Sequence, residues 1–145
     1  MNGTIVVGID GSAPSTAALR WAVDQAVAQH RTVTAVEVRQ PVRLAPGTSY
    51  APAPYGTTVP QGRGEHRLHD TVTAALAGVR NPPKVAELRL RGEIGVELAR
   101  VAHDAAMLVL GHQPHGRTTE FLFGHVTGEC LRHATVPVVL VPEQT

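Results

Sequence analysis

Two glycines that flank a short loop are the residues best suited to chemistry in this sequence. Gly111 follows a short apolar run, and Gly124 stands thirteen residues later, immediately before a stretch with helical spacing. The first backbone N–H groups of a helix have no partner inside it, and the helix dipole is positive at that end, so this position can hold an anion such as a phosphate. Helix entry alone also favours glycine at Gly124, so a purely structural role remains an alternative.

A second candidate group follows the first apolar run of the chain. Asp10, Gly11 and Ser12 stand at the end of a β-branched run that suits a buried strand. The Asp10 carboxylate is in a position to contact a ligand. A carboxylate there also commonly accepts hydrogen bonds from the N–H groups of Gly11 and Ser12. Both roles stay open for Asp10.

Familiar phosphate-binding and catalytic signatures are absent from the sequence. Gly8 and Gly11 do not complete a G-x-G-x-x-G motif, and no G-x-x-x-x-G-K-[ST] motif occurs. The sequence also lacks G-x-S-x-G and H-E-x-x-H motifs and a Cys–His constellation. These absences argue against a Walker-type NTPase, a standard dinucleotide site and a hydrolase, and we predict no catalytic residues.

A group of histidines raises a metal hypothesis. His112, His115 and His125 share one loop, with Cys130 nearby, and H-x-x-H spacing can ligate zinc. Structural zinc sites usually have a tighter, closed set of four ligands, so we favour solvated loop histidines and predict no metal. Cys130 lies on the inner stripe of its predicted helix and is most simply a small core residue.

Apolar runs and stretches of helical spacing alternate along the chain and must position these groups. The predicted strands cover residues 4–9, 32–38, 85–90, 107–110 and 136–141, and the predicted helices cover residues 13–30, 65–79, 92–105 and 127–134. This alternation predicts an α/β fold whose parallel sheet is covered by helices on both faces. Ligands bind such sheets at the carboxyl ends of strands where the strand order reverses, which selects the turns after the first and fourth strands.

Residues 40–64 interrupt this alternation. They contain five prolines and four glycines, and we predict no regular element over that range. A connection of this length is usually either disordered or a functional lid. Composition favours disorder over a lid.

Composition and charge narrow the class of protein. The length of 145 residues fits one domain, predicted over residues 1–145. Thirteen basic and twelve acidic residues are scattered along the chain and leave a net charge of +1, so we expect no nucleic-acid or membrane partner. We predict a cytoplasmic protein, because the sequence has one cysteine and no export signal, and its apolar runs are far shorter than the roughly 20 residues of a membrane helix.

Several stretches strongly resemble the universal stress protein family, and together they cover nearly the whole chain. They are VVGIDGS at residues 6–12, the proline-rich break, the helix entry from Gly92 to Leu98, MLVLG at 107–111, and RHATVPVVLVP at 132–142. The last of these is the most specific. The resemblance implies one three-layer α/β domain with a five-stranded parallel sheet in the order 3-2-1-4-5.

The family's nucleotide-binding members carry G-x2-G-x9-G-[ST] in the loop between Gly111 and the next helix. Gly111 matches the first glycine and Gly124 the last, whereas Pro114 and His125 replace the second glycine and the Ser or Thr. Proline has no N–H to donate, so one donor to a phosphate is lost. A protonated His125 can still contact a phosphate, and the hydroxyl of Thr127 is a candidate substitute for the missing one.

The resemblance also implies an adenine side of the site. Asp10 matches the acidic residue that faces the adenosine moiety in relatives, and Val38 ends the second strand, where the backbone meets the base. The implied ligand is ATP or another adenine nucleotide, with or without Mg²⁺. The residues implied for this site are Gly8, Asp10, Gly11, Ser12, Val38, Gly111, His112, Pro114, Gly124, His125, Val126 and Thr127.

The family habit of dimerising through the last strand implies a homodimer through residues 136–141, an edge of Val and Leu suited to pairing. The leading expectation is an adenine-nucleotide-binding module of the stress response. The alternative is a dimeric interaction protein that binds no nucleotide because Pro114 closes its loop. A third reading is an enzyme acting on a nucleotide-like substrate, and any ATP hydrolysis is expected to be slow.

Overall fold

The computed structural model describes residues 3–40, 61–112 and 126–143. Strands and helices alternate through these ranges as the sequence predicts. The elements in chain order are β1 (Ile5–Gly8), α1 (Ala13–Gln29), β2 (Val33–Arg39), α2 (Gln61–Leu76), β3 (Val85–Arg91), α3 (Ile94–Val101), β4 (Met107–His112), α4 (126–133) and β5 (Val138–Pro142).

The five strands form one parallel sheet in the order β3-β2-β1-β4-β5, which confirms the predicted topology. β1 lies at the centre, with Val6 paired to Thr34 of β2 on one side and to Leu108 of β4 on the other. The strand order therefore reverses between β1 and β4. Their carboxyl ends lie side by side, as the predicted site requires.

Each face of the sheet packs against its own pair of helices because successive side chains of a strand point to opposite faces. Val7 and Val109 belong to the apolar cluster that α1 and α2 cover. Val6 and Leu108 belong to the cluster that α3 and α4 cover. Aliphatic side chains and alanines dominate both clusters, and the half-buried Trp21 packs against the first.

The first helix begins and ends as its sequence predicts. Ser12 is the N-cap, its Oγ accepting a hydrogen bond from the N–H of Ser15 at 3.3 Å, and Pro14 lies in the first turn. His30 closes the helix in the left-handed conformation, with φ of 57°.

The second helix begins earlier than predicted. Residues 61–64 were assigned to the proline- and glycine-rich break, but α2 starts at Gln61 and ends at Leu76, short of the predicted end at residue 79. Glycine disfavours helix by about 1 kcal/mol per residue, which is why the sequence predicts a break here, but this weak preference does not end a helix whose later turns are held by the buried Leu68, Val72 and Ala75. The other predicted break residues, 41–60, lie outside the described residues.

The two edges of the sheet differ in chemistry. β4 runs two residues beyond its predicted end because Gly111 and His112 pair with β5, which itself starts at Val138 instead of residue 136. At the other edge, β3 carries Glu87, Arg89 and Arg91 as exposed charged residues. Among the helices in the described ranges, none has the length and apolar character needed to cross a membrane.

Candidate functional site

The carboxyl end of β4 touches the start of α1, and this contact requires a glycine. A Cβ atom on Gly111 would lie 2.5 Å from the carbonyl oxygen of Pro14 and 2.8 Å from the nitrogen of Ser15, with the carbonyl carbon of Pro14 nearer still. The end of β4 is therefore in direct contact with the first turn of α1, which follows the β1 turn in the chain. Gly111 thus has a packing role that its sequence context did not reveal.

The turn after β1 is held by its own side chains. Asp10 Oδ1 accepts hydrogen bonds from the N–H of Ser12 at 2.9 Å and from the Ser12 hydroxyl. The N–H of Asp10 in turn donates to Ser15 Oγ at 3.3 Å. Gly11 has φ of +84°, a conformation that favours glycine. The capping role of Asp10 is present in the structure, its side chain is exposed, and ligand contact stays a prediction.

Three further predicted residues lie on the face of the sheet that α3 and α4 cover. Val38 and Val126 are half-buried and contact the cluster that contains Leu110. A Cβ atom on Gly8 would lie 3.0 Å from Leu98 Cδ1 and 3.1 Å from Leu110 Cδ2, so this glycine lets α3 approach β1.

The first described turn of α4 carries the most informative polar atom of the site. Thr127 Oγ1 is buried, and no hydrogen-bond partner is present for it in the described part of the chain. Burying a hydroxyl without a partner costs about 1–3 kcal/mol, so such an atom needs an explanation, and a bound group that accepts its hydrogen bond is one such explanation.

α4 is held against α3 by a close helix contact. A Cβ atom on Gly95 would lie 3.1 Å from the carbonyl oxygen of Val126 and closer still to the Cβ of Glu129. Only a glycine in α3 allows this approach, which therefore sets the position of the turn that contains Thr127.

Other predicted site residues have simple positions or lie outside the described ranges. His112 is half-buried at the end of β4, and its carbonyl accepts a hydrogen bond from the N–H of Glu143 at 3.1 Å. Pro114, Gly124 and His125 lie outside the described residues, as does His115 of the metal hypothesis. Within residues 3–40, 61–112 and 126–143, no three His, Cys, Asp or Glu side chains are grouped so as to hold a metal ion.

Cys130 is the core residue that its helical position predicts. Its side chain is fully buried, and its Sγ lies 3.8 Å from the carbonyl oxygen of Gly95. Burial, with a smaller contribution from the carboxylate of Glu129, raises the pKa of the Cys130 thiol to about 11. The thiol is therefore neutral at physiological pH and is not an activated nucleophile.

One buried charged residue of β2 was not predicted from the sequence. Glu37 of β2 is buried, and its Oε2 lies 2.6 Å from Arg67 Nη2 while its Oε1 lies 3.6 Å from Arg89 Nε. The signal was visible in the alternating run at residues 32–38, because Glu37 falls on the same strand face as the buried Val33 and Ala35. A charged residue at an inward position indicates a partner or a function.

A separate groove of about 410 Å³ lies between α1 and the end of β5. Trp21, Arg20 and Val141 are among its lining residues, and none of the residues predicted for the nucleotide site lines it. The groove is therefore distinct from the cleft between β1 and β4.

Comparison with known proteins settles the family. The model of the universal stress protein family matches residues 1–142. The chain belongs to this family. The predicted resemblance is thereby confirmed.

Among curated relatives, a universal stress protein of Mycobacterium tuberculosis is 30% identical over 153 aligned positions, which cover 97% of this chain and 48% of the relative. One from Mycolicibacterium smegmatis is 32% identical over 142 positions, covering 94% of this chain and 47% of the relative. The chain therefore spans about half the length of the curated relatives it matches.

Solved universal stress proteins share the fold. One in complex with cAMP superposes with a TM-score of 0.63 at 22% identity, covering 98% of both chains. Another, from Archaeoglobus fulgidus in complex with dAMP, has a TM-score of 0.61 at 22% identity and covers 97% of this chain and 99% of its own. At these identities the likeness shows a common fold.

Proposed function

We propose that this universal stress protein binds an adenine nucleotide in the cleft between the turn after β1 and the segment that joins β4 to α4. The two structural neighbours described above hold cAMP and dAMP, and both share this chain's fold. The proposed ligand class is therefore an adenine nucleotide, with ATP and its Mg²⁺ complex included. We further propose that binding serves the stress response, and that the protein acts in the cytoplasm, as its single cysteine suggests.

The observation that carries this proposal is the buried hydroxyl of Thr127. This group has no hydrogen-bond partner in the described part of the chain. It lies in the first described turn of α4, which in the sequence follows the two glycines, Gly111 and Gly124, that match the family's phosphate motif. A phosphate oxygen would accept the hydrogen bond that the hydroxyl now lacks.

The opposite wall of the cleft supports the same ligand. The Asp10 carboxylate is exposed, and hydrogen bonds from Ser12 hold its Oδ1 in place. Within the described contacts, Oδ2 accepts no hydrogen bond. A carboxylate oriented in this way is suited to accept a hydrogen bond from a ribose hydroxyl or an adenine amino group.

The substitution Thr127→Val tests the proposal because it keeps the side-chain shape and removes the hydroxyl. We expect an equal or higher melting temperature, since a buried unpaired polar group is removed. We expect weaker binding by roughly tenfold, the effect of losing one hydrogen bond of about 1.4 kcal/mol. Calorimetric titration with AMP, cAMP and Mg-ATP measures the affinity, and thermal unfolding measures stability.

Thr135→Val is the matched control. The Thr135 hydroxyl already lies 3.1 Å from the carbonyl oxygen of His103, outside the proposed site. We expect this variant to lose a little stability and to bind nucleotide as the wild type does. A wild-type protein that binds none of the three nucleotides contradicts the proposed function, and Thr127→Val binding with unchanged affinity contradicts the role of the hydroxyl.

A second candidate role, as a dimeric interaction protein, is favoured by the apolar edge of the sheet. Leu140 of β5 and Leu131 of α4 are 41% and 61% exposed, unlike the buried leucines of the core. We propose that two copies pair through this edge, over residues 136–141, because an uncovered apolar edge strand favours pairing with another chain.

Leu140→Lys should convert the dimer to a monomer, since the new charge would face the partner's copy of the same strand. Light scattering after size-exclusion chromatography measures the mass. Leu88→Lys is the control, because Leu88 is 36% exposed on the opposite edge strand, β3. A wild-type mass equal to that of one chain, or loss of the dimer in both variants, argues against pairing through β5.

A further inference from the structure

An ion pair between a buried carboxylate and a half-exposed arginine connects α2 to β2, the strand beside β1. Glu37 lies on β2, and its carboxylate is only 3% exposed. An isolated carboxylate at such a position would be strongly disfavoured, so it needs cationic partners. Arg67 supplies the closer contact, at 2.6 Å, and Arg89, its neighbour in the β2–β3 register, lies at 3.6 Å.

The Arg67 side chain also lies directly on the turn after β1. A Cβ atom on Gly11 would be 3.0 Å from Arg67 Cδ and 3.1 Å from its Nε, so the arginine packs on the open face of this glycine. Gly11 therefore has two reasons to lack a side chain, its positive φ and this contact.

The two arginines differ in what they contact besides Glu37. Arg89 lies on the edge strand β3, on the far side of β2 from β1. Arg67 reaches across to the turn that presents Asp10, and the short contact with Glu37 limits the rotamers available to its long side chain. Of the two arginine contacts described for Glu37, the Arg67 contact is the one that connects the buried carboxylate to the turn carrying Asp10.

We propose that Arg67 is a positioning residue for the nucleotide site. Glu37 fixes its guanidinium, and the arginine packs on Gly11 and holds the 10–12 turn in the conformation in which Asp10 faces the cleft. The part of the inference that concerns affinity rests on the proposed nucleotide binding. The part that concerns the turn is independent of any ligand.

The variants Arg67→Met and Arg89→Met form a matched pair, since each removes one cation near Glu37 and only the first releases from that carboxylate a side chain that packs on Gly11. The first measurement is amide hydrogen exchange of Ser12 in the nucleotide-free protein. The N–H of Ser12 is donated to Asp10, so its exchange rate reports the order of the turn. We expect faster exchange in Arg67→Met and an unchanged rate in Arg89→Met, after correction for each variant's global stability.

The second measurement is AMP affinity in the same two variants. We expect Arg67→Met to bind roughly tenfold more weakly, equivalent to about 1.4 kcal/mol, and Arg89→Met to bind as the wild type does. Arg67→Lys should restore only part of the affinity, because an ammonium cannot reproduce the planar guanidinium.

The outcomes separate this inference from the proposed function. Unchanged Ser12 exchange in Arg67→Met overturns the positioning role whether or not AMP binds, and so do equal changes in both variants. Faster exchange in Arg67→Met alone, in a protein that binds no AMP, supports the positioning of the turn and overturns the proposed function.

Discussion

Replacing Gly111 with alanine should destabilise the protein by about 3 kcal/mol and lower its melting temperature by about 10 °C. The new methyl group would overlap the backbone of Pro14 and Ser15, and backbone atoms cannot rotate away as a side chain can. The start of α1 must therefore move off the end of β4. Because this movement separates the two walls of the cleft, we also expect nucleotide affinity to fall. Thermal unfolding and titration with AMP measure the two effects.

Gly128→Ala is the matched control for this prediction. Gly128 lies in α4, and a Cβ atom there would meet no other atom within 4 Å. Alanine should raise stability at this position by about 0.5–1 kcal/mol, since glycine is the poorer helix former. Two variants with the same chemical change are thus expected to move stability in opposite directions. Equal melting temperatures for Gly111→Ala and the wild type would show that α1 and β4 are not in close contact.

Replacing Gly95 with alanine should destabilise the protein by about 2 kcal/mol. The added methyl group would collide with Glu129 and the Val126 carbonyl, and would push α4 away from α3. The turn that carries Thr127 belongs to the displaced helix. We therefore expect lower stability together with weaker nucleotide binding, measured by chemical denaturation and calorimetric titration.

A double variant tests whether the helix contact itself is the cause. Glu129→Gly removes the Cβ atom nearest to the new methyl group, at a cost of about 1 kcal/mol in helix propensity. The combination with Gly95→Ala should be less destabilised than the sum of the two single changes, because the space vacated on α4 accepts the methyl group. If the two changes in the free energy of unfolding simply add, the effect of Gly95→Ala does not come from the contact with Glu129.

The fold could be predicted from the sequence because the sequence signals for its strands and helices are local and repeated. The β-branched runs, the N-cap at Ser12 and the stop at His30 each specify their own element, and the family resemblance adds the strand order. The start of α2 could not be predicted in this way. Its glycines predict a break, whereas the helix that buries Leu68 and Val72 against the sheet begins at Gln61.

The sequence predicted which positions belong to the candidate site, but not which atoms contact one another there. The sequence places Asp10 and Gly111 at the carboxyl ends of the correct strands, but the backbone contact between Gly111 and Pro14 depends on how α1 crosses the sheet. Arg67 was overlooked for a similar reason. It is thirty residues from Glu37, and the two meet only because α2 packs over β2.

The contrast between the two edges of the sheet bears on how far assembly can proceed. β5 presents exposed Leu140, whereas β3 presents the charged Glu87, Arg89 and Arg91 around its own exposed Leu88. Charged side chains on an edge strand oppose pairing with a further chain. If two copies pair through β5, each copy covers the apolar edge of the other. The two edges that stay exposed are then the charged β3 strands. Such a pair is a closed two-fold unit that cannot grow into a filament.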